Sequence, residues 1–550
     1  MKQLIECVPN FSEGRDLNII RQITDVIENV EGVRLLNVDP GKATNRTVVT
    51  FVGEPAPVIE AAFRAIRKAA ELIDMSKHQG EHPRMGATDV CPLIPISGIS
   101  MTETVQWAKK LGERVGKEQN IPVYLYESAQ ENPARRNLSL IRAGEYEGFF
   151  KKIKLPEWKP DFGPAEFPAG SGATVIGARD FLVAYNANLN TTSVRRANSV
   201  AFDVRENGRK VKNEKGEEIN QPGTCKSVKA IGWFIEEYGI AQVSMNLTNI
   251  SITPVHIAFD ECVKSAYNRG MRVTGSELVG LIPLKAMLDA GAYFLKKQQR
   301  STGVSEQELI RIAVKSMGLD ELGPFKPEER IIEYLLKDPL EEKLVKMNLI
   351  DFANETASES PAPGGGSISA YVGALGVSLG TMVANLSSHK KGMDEQWEEF
   401  SNWAEKGQSL KSALLKLVDE DTRAFTKIMN AFGLPKSNDE EKKVRTEAIE
   451  AATRYATEVP YKVMELCFES MEVIKEMAAK GNPNSVTDAG VGALCARSAV
   501  FGAYLNVRIN SSGLKDKAFV EKILKDGQAL VDNTTAAEIE ILKIVDTKIK

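Results

Sequence analysis

Histidine is the side chain whose ordinary pKa lets it exchange a proton near neutrality, and the chain holds only four, at positions 78, 82, 256 and 389. His82 lies in the run His78-Gln-Gly-Glu-His82-Pro-Arg-Met-Gly86. Pro83 pushes it away from helical geometry, while Gly80 and Gly86 let the backbone approach a ligand closely. Glu81, Arg84 and Asp89 bring charges that can orient or tune an imidazole. Taken alone, the pattern fits an ordinary surface loop as well as a general base. His256 sits in a helical run and His389 beside Lys390 and Lys391, so both read as packing or solvent-facing residues, and His78 reads as a cation closing a long helix.

A carboxylate offers a second candidate. Leu410, Leu414, Leu417, Asp421, Ala424 and Ile428 recur at helical spacing, which puts Asp421 on the apolar stripe and turns Asp419 and Glu420 elsewhere. Burial raises a carboxyl pKa toward useful acid/base values unless the group is paired; a structural polar contact between helices is the other reading. The turn Pro361-Ala-Pro-Gly364-Gly365-Gly366-Ser367 runs straight into a small-residue helix, and its exposed N–H groups suit an anion. It lacks the Gly-Lys-Ser/Thr ending of a nucleotide P-loop. A glycine-rich loop from Gly163 to Gly172 fits either a ligand grip or an interdomain linker.

These groups need elements to hold them. In the first half, strands over Gln3–Pro9, Val33–Val38, Thr47–Val52 and Pro122–Tyr126 alternate with helices over Asp16–Val30, Pro55–Lys77 and Met101–Lys117. From Ala173 the pattern restarts as strand Phe181–Ala187, helix Val194–Val204, strands Lys229–Phe234 and Ala241–Leu247, helix Pro254–Arg269 and strand Met271–Thr274. That order is the split βαβ of a ferredoxin-like sheet, and two such units in series leave a cleft for a small ligand. Beyond Pro324 the composition turns charged and then helical. The expected architecture is therefore α/β, two ferredoxin-like subdomains over 1–180 and 181–325, then a linker over 326–340 and an all-α helical bundle over 341–550.

The totals bound the rest. A chain of 550 residues exceeds one hydrophobic core, and 43% hydrophobic with 26% charged residues is globular composition. A net charge of −4 gives no basic field for nucleic acid or an anionic membrane. The apolar run at the amino terminus is broken by Glu6 and Asn10, so no signal peptide is read there and the expected compartment is the cytoplasm. Six cysteines without a Cys-x-x-Cys pair read as reduced thiols, not metal ligands. Ser367–Ser387, with its Gly376/Gly380 step, imitates a membrane span, but Ser369, Ser378 and Ser387 favour a close-packed helix in a bundle or dimer interface.

Taken together the motifs resemble the formimidoyltransferase-cyclodeaminase family over almost the whole chain. Glu6-Cys-Val-Pro-Asn-Phe-Ser-Glu-Gly14, Asn45-Arg-Thr-Val, Gly80-Glu-His-Pro-Arg-Met-Gly86 and Gly163 to Arg179 are similar to its transferase part. Ala362-Pro-Gly-Gly-Gly-Ser367, Asp419-Glu-Asp421-Thr-Arg-Ala-Phe425 and Phe501-Gly-Ala-Tyr-Leu-Asn-Val-Arg-Ile-Asn510 are similar to its cyclodeaminase part. The resemblance implies transfer of a formimino group from N-formimino-L-glutamate to tetrahydrofolate, then cyclisation to 5,10-methenyltetrahydrofolate with loss of ammonia, in histidine degradation. It makes His82 the transferase base and Asp421 the cyclodeaminase acid/base, with Asp39 and Arg46 orienting the imidazole or binding a carboxylate. It assigns folate contact to Gly163, Pro164, Ala165, Glu166, Phe167, Pro168, Ala169, Gly170, Ser171 and Gly172, although Phe167-Pro168 stands where many relatives carry His-Pro. Gly364, Gly365, Gly366, Ser367, Asp488 and Asn506 complete the candidate cyclodeaminase site. The co-substrate implied is tetrahydrofolate carrying a polyglutamate tail, with no metal, and the assembly implied is a homo-oligomer with dimeric helical domains. Rival readings are a chain with only one active domain and a folate-binding scaffold without turnover.

Overall fold

The computed structural model describes residues 3–42, 44–80, 83–213, 215–336 and 342–549. The chain forms two compact units. The first takes the chain up to Ala286 together with Met317–Leu336; the second takes Met287–Ser316 together with the chain beyond Leu336.

The first unit opens with β1 (Leu4–Cys7), β2 (Asn10–Phe11), α1 (Leu17–Glu28), β3 (Val33–Gly41), β4 (Arg46–Gly53), α2 (Pro55–Leu72) and β5 (Thr88–Ser97). β1 and β2 act as one interrupted strand between β4 and β5, and β3 pairs with the far side of β4, all antiparallel. This is the expected split-βαβ order. Period-two alternation buries Ile5, Cys7, Val49 and Phe51 against α1 and α2. Asp16 caps α1 by accepting from the N–H groups of Asn18 and Ile19. The sheet then extends through α3 (Met101–Glu118), β6 (Val123–Glu127), the short α4 (Leu138–Arg142) and α5 (Glu145–Lys152), and β7 (Thr174–Ala178), with β7 parallel to both β5 and β6.

The sequence pattern did not show β5, because Pro92 and Pro95 within it argue against a paired strand. Pro92 is tolerated since its carbonyl still accepts from the Val8 N–H at 3.2 Å, opposite the break between β1 and β2. Nor does α2 reach Lys77. It stops at Leu72, so His78 does not close a long helix but follows a single 3-10 turn, Met75–Lys77.

A second split-βαβ module follows: β8 (Val183–Leu189), α6 (Val194–Val204), the hairpin β9 (Arg209–Lys212) and β10 (Glu218–Gln221), β11 (Val228–Ile235), β12 (Ile240–Leu247), α7 (Val255–Tyr267) and β13 (Val273–Val279). Its antiparallel order is β11-β12-β8-β13. His256 is buried in α7, as a packing residue.

The chain next passes through α8 (Leu284–Lys297) and α9 (Glu306–Met317), most of which belong to the second unit although the sequence pattern kept them with the α/β half. The reason is the segment between them. Its Gly303 carbonyl accepts from Asn385 Nδ2 at 2.8 Å and Gln408 Nε2 at 3.2 Å, and a Cβ at Gly303 would lie 2.2 Å from that of Ala404. Only a glycine fits so close to the helical unit. α10 (Pro327–Arg330) and α11 (Ile332–Leu336) return to the first unit, where Ile282 and residues 330–332 exchange backbone hydrogen bonds, so this part of the expected linker is docked; 337–340 lie outside the described residues.

The second unit is a bundle of α12 (Leu349–Thr356), α13 (Gly365–Ser388), α14 (Trp397–Phe432), α15 (Asp439–Lys480), α16 (Val486–Ser511) and α17 (Lys517–Lys548). By length and composition α13 could cross a membrane, yet its small-residue face is buried in the bundle. The Gly376/Gly380 step faces α15 and α16 within the same chain, so it packs the bundle and does not present a dimer face. A Cβ at Gly376 would lie 2.9 Å from the Gly492 carbonyl oxygen and 3.0 Å from the Cys495 Cβ. Valine at 376 should therefore push the helices apart and cost about 1–3 kcal/mol, lowering the melting temperature of the helical unit in circular dichroism. Leu375→Ser on the exposed face should leave that temperature nearly unchanged; equal effects would contradict the packing.

Candidate functional site

Register collects several candidates of the first unit on one sheet face. Asp39 pairs with Val48, Val48 with Asn10, and Asn10 with Val90; Gly41 pairs with Arg46. Because side chains alternate, Arg46, Val48 and Val52 share the face turned away from α1 and α2, and Asp39, Asn10 and Glu6 lie on that same face. Arg46 is largely buried, its Nε finds no hydrogen-bond partner among the described residues, and burial draws its pKa down to about 10 against the opposing pull of Asp89. A guanidinium with unspent donors suits a carboxylate ligand.

His82 and Glu81 lie outside the described residues; the flanks of their loop are described. His78 Nε2 meets the Asn45 carbonyl at 2.9 Å, and Arg84 Nε donates to His78 Nδ1 at 3.3 Å. These contacts assign His78 the tautomer protonated at Nε2 and tie up both its nitrogens. Asn45, with φ of 46°, donates to the Gln79 carbonyl at 3.0 Å and accepts from the Gly14 N–H at 3.0 Å. A Cβ at Gly80 would sit 2.3 Å from the Thr44 carbonyl oxygen. The Glu6–Gly14, Asn45–Val48 and Gly80–Gly86 motifs are thus joined by the backbone and amide contacts of Asn45, at the Arg46 end of the polar face.

The far flank is clamped as firmly. Arg84 bonds to Glu145 at 3.0 Å and Glu147 at 2.8 Å, and Asp89 is buried with Arg142. Gly86 bridges Gly172, whose φ is +66°, and the Ala87 N–H donates to the Ser171 carbonyl at 2.8 Å. Met75 donates to the Gly170 carbonyl and Tyr146 Oη to that of Ala169. The loop Gly163, Pro164, Ala165, Glu166, Phe167, Pro168, Ala169, Gly170, Ser171, Gly172 is therefore sewn to the histidine loop, with Ala165, Glu166, Ala169 and Gly170 open to solvent. Phe167 packs among Tyr146, Phe149 and Phe150, with ring centroids 4.8–5.5 Å away. Its side chain is therefore part of the packing under the loop.

Two groups escaped sequence reasoning. Glu6 is buried, and burial lifts its carboxyl to about 7 despite the nearby Arg179 charge; its strand position next to the apolar Ile5 and Cys7 was the available signal. The other is a polar network on the second sheet. Gln242 Nε2 donates to Asn188 Oδ1 at 2.8 Å and to Glu277 at 3.1 Å, Asn186 also donates to Glu277, and Asn188 donates to Glu321 at 2.7 Å. The alternation Ala184, Asn186, Asn188 in β8 marks this polar face.

In the helical unit the structure brings most of the candidates together. The Ser367 N–H donates to Asp421 Oδ2 at 2.8 Å and the Ser367 hydroxyl reaches the same oxygen at 3.1 Å. A Cβ at Gly366 would lie 2.1 Å from Asp421 Oδ1, and one at Gly365 3.2 Å from Asn506 Nδ2. The glycines thus clear room for a carboxylate at the amino end of α13. Asp421, Gly364, Gly365, Thr422, Phe425 and Asn506 line a cavity of about 120 Å³, with Asn510 one turn beyond Asn506. The amides of Asn506 and Asn510 donate to the Gly502 and Ala456 carbonyls at 2.9 and 2.7 Å, and their oxygens accept no hydrogen bond among the described residues. Burial raises the Asp421 pKa against the two Ser367 bonds.

Two expectations need correction. Asp419 is more deeply buried than Asp421 in α14; it accepts from the N–H groups of Leu344 and Val345 at 2.8 and 3.2 Å and is an anchor for that segment. Asp488 lies in the first turn of α16, about 27 Å along the axis from Asn506 at about 1.5 Å per residue, and does not join the cavity. Among the described residues no cluster of His, Cys, Asp and Glu is arranged to hold a metal.

A check on the first unit follows from Glu6. The folded carboxyl keeps its proton to about pH 7 and the unfolded one releases it near 4.5, so stability falls as pH rises between those values. Glu6→Gln should remove that fall, on the order of 3 kcal/mol, and raise the melting temperature at pH 8 while leaving it unchanged at pH 4. Equal melting temperatures at pH 8 would contradict the buried acid.

Comparison with known proteins accords with this geometry. Family models of the formiminotransferase N-terminal subdomain, the formiminotransferase domain and formiminotransferase-cyclodeaminase match residues 4–179, 184–337 and 348–529. The mouse formimidoyltransferase-cyclodeaminase is 45% identical over 523 residues, covering 95% of each chain. A Thermoplasma acidophilum glutamate formimidoyltransferase is 42% identical over 53% of this chain and 92% of its own. A Methylorubrum extorquens methenyltetrahydrofolate cyclohydrolase is 38% identical over 36% of this chain and 95% of its own.

Proposed function

The chain belongs to the formimidoyltransferase-cyclodeaminase family, and we propose on that basis that it is a bifunctional folate enzyme of histidine degradation. Its α/β unit transfers the formimino group from N-formimino-L-glutamate to tetrahydrofolate; its helical unit converts the product to 5,10-methenyltetrahydrofolate and ammonia. The observation that carries the reading is the Asp421 carboxylate, seated on Ser367 beside Gly366 in a cavity shared with Asn506.

In the first step the N5 lone pair attacks the formimino carbon, His82 takes the N5 proton, and the same proton goes to the departing glutamate nitrogen. Arg46, with donors to spare on the polar sheet face, holds a carboxylate of the amino-acid substrate, and Asp39 orients the base. The exposed part of the Gly163–Gly172 loop takes the folate. In the second step N10 attacks the same carbon. Asp421 carries the N10 proton to the leaving nitrogen, one further proton from solvent completes ammonia, and the N5–carbon–N10 bridge is left as a cation. The asparagine oxygens and Phe425 orient the ring system. These proton transfers call for no metal.

We also place the protein in the cytoplasm, supported by six free thiols, and give it a polyglutamylated folate. We infer a homo-oligomer with paired helical units, supported by an exposed apolar stripe on α16: Val491, Leu494, Phe501, Leu505 and Ile509.

Mixing protein with N-formimino-L-glutamate and tetrahydrofolate should release glutamate and then ammonia; no glutamate release would sink the transferase reading. His82→Ala should lower transfer by about 100-fold or more while sparing cyclisation of supplied 5-formiminotetrahydrofolate. Asp421→Asn should do the reverse, and unchanged turnover in either variant removes that residue from the mechanism.

A further inference from the structure

The side chains around the Asp421 cavity carry charge of one sign. Its lining includes one carboxylate and the two carboxamides of Asn506 and Asn510, and no lysine, arginine or histidine. The basic residues near Asp421 in α14 are engaged elsewhere: Arg423 Nε donates to Glu420 at 2.9 Å, and Lys427 Nζ lies 4.0 Å from the centre of the Tyr455 ring. Asp421 Oδ2 takes both Ser367 bonds, at 2.8 and 3.1 Å, and Oδ1 accepts none among the described residues. The positive end of α13 is thus met by one carboxylate oxygen, and the other is unspent. A carboxylate withdrawn from water without a cation is costly, so the cavity favours a ligand that brings positive charge.

The carboxamides add acceptors of the same polarity. Asn506 Nδ2 is committed to the Gly502 carbonyl at 2.9 Å and Asn510 Nδ2 to the Ala456 carbonyl at 2.7 Å, which fixes both amide flips and leaves each Oδ1 without a donor among the described residues. A second N–H remains on each nitrogen and the Thr422 hydroxyl can play either part, so the sign of the field is set by Asp421. The volume of about 120 Å³ holds roughly four groups of water size, at ~30 Å³ each. That is room for a formimino head, a carbon with its nitrogens, and not for a folate.

We propose that this cavity takes the formimino group as its amidinium cation, and that Asn506, with Asn510, selects it over a formyl group of the same size. The inference rests on the cyclodeaminase reading above. A protonated formimino nitrogen presents two N–H donors and a positive charge to Asp421 Oδ1 and the asparagine oxygens. A formyl oxygen presents lone pairs to those same oxygens, and a site built to accept from its ligand rejects an analogue that has no donor. The asparagines are specificity-determining residues, and the proton transfers stay with Asp421.

The test is inhibition of the cyclisation of supplied 5-formiminotetrahydrofolate by the full-length protein, at constant ionic strength, using acetamidinium and its neutral isostere acetamide. Acetamidinium should compete with the substrate at a concentration about tenfold or more below that needed for acetamide. In Asn506→Leu the KM for 5-formiminotetrahydrofolate should rise about tenfold or more, while the inhibition constant of 5-formyltetrahydrofolate stays within about twofold. A purely structural role would weaken both together. Should Asn506→Leu fail to fold, as read from the melting of the helical unit, Asn510→Leu should show the same split, and the acetamidinium preference needs no variant. Equal inhibition by acetamidinium and acetamide, or equal loss of both folates in the variants, would overturn the proposal. No cyclisation by the unsubstituted protein would instead sink the functional reading; acetamidinium should then still raise the melting temperature of the helical unit more than acetamide does, and equal shifts would overturn the proposal as well.

Discussion

One contact organises the helical unit: the Asp421 carboxylate of α14 against the N–H and hydroxyl of Ser367 in the first turn of α13. A helix amino end has unsatisfied donors and a positive field, and here a side chain from a neighbouring helix, not a local cap, fills the place. That is feasible because Gly364, Gly365 and Gly366 carry no Cβ; at Gly366 one would collide with Asp421 itself. The same need for close approach continues down α13, where Gly373 faces Cys467, Gly376 faces Gly492 and Gly380 faces Ile474. The glycines that let the helices touch also fix how deeply the carboxylate is buried. Packing and proton affinity are set by one feature.

The α/β unit solves a related problem with a loop. A catalytic side chain on a loop needs flanks that hold still, and both flanks of the histidine loop are tied down. On one side Asn45 and His78 exchange contacts with a tight turn; on the other Arg84, Met85 and Gly86 are pinned by α5 and the turn over residues 170–173. Residues far apart in the chain, Gly14, Asn45, Gly86 and Gly172, are small or strained for the same physical reason: backbones meet there.

Much of this was legible in the sequence because it is periodic. Alternation marked the second split-βαβ module and all but β5 of the first, and helical spacing placed Asp421 on the inner side of α14. Proline hid β5, since the features that allow Pro92 in a paired strand depend on the break in its neighbour. Helical spacing also misjudged Asp419, one position from Val418, which lies deeper than Asp421 because a backbone segment from outside the helix supplies its donors. The Gly376/Gly380 step signalled close packing correctly but not against what. Asp488 and Asn506 share a helix, and only the rise per residue separates them. Arg46 was named from resemblance; its buried and unpartnered Nε is a property of the fold that no motif displays.

The central claim is that a half-buried carboxylate at the mouth of a glycine-lined helix end moves the protons of cyclisation. The most direct measurement is the pH–rate profile of a single turnover of supplied 5-formiminotetrahydrofolate. The rate should fall as pH drops, with a midpoint above the ordinary aspartate value of about 3.9, because burial raises the Asp421 pKa. Both that limb and most of the rate should vanish in Asp421→Asn. An identical profile and rate in the variant would contradict the account.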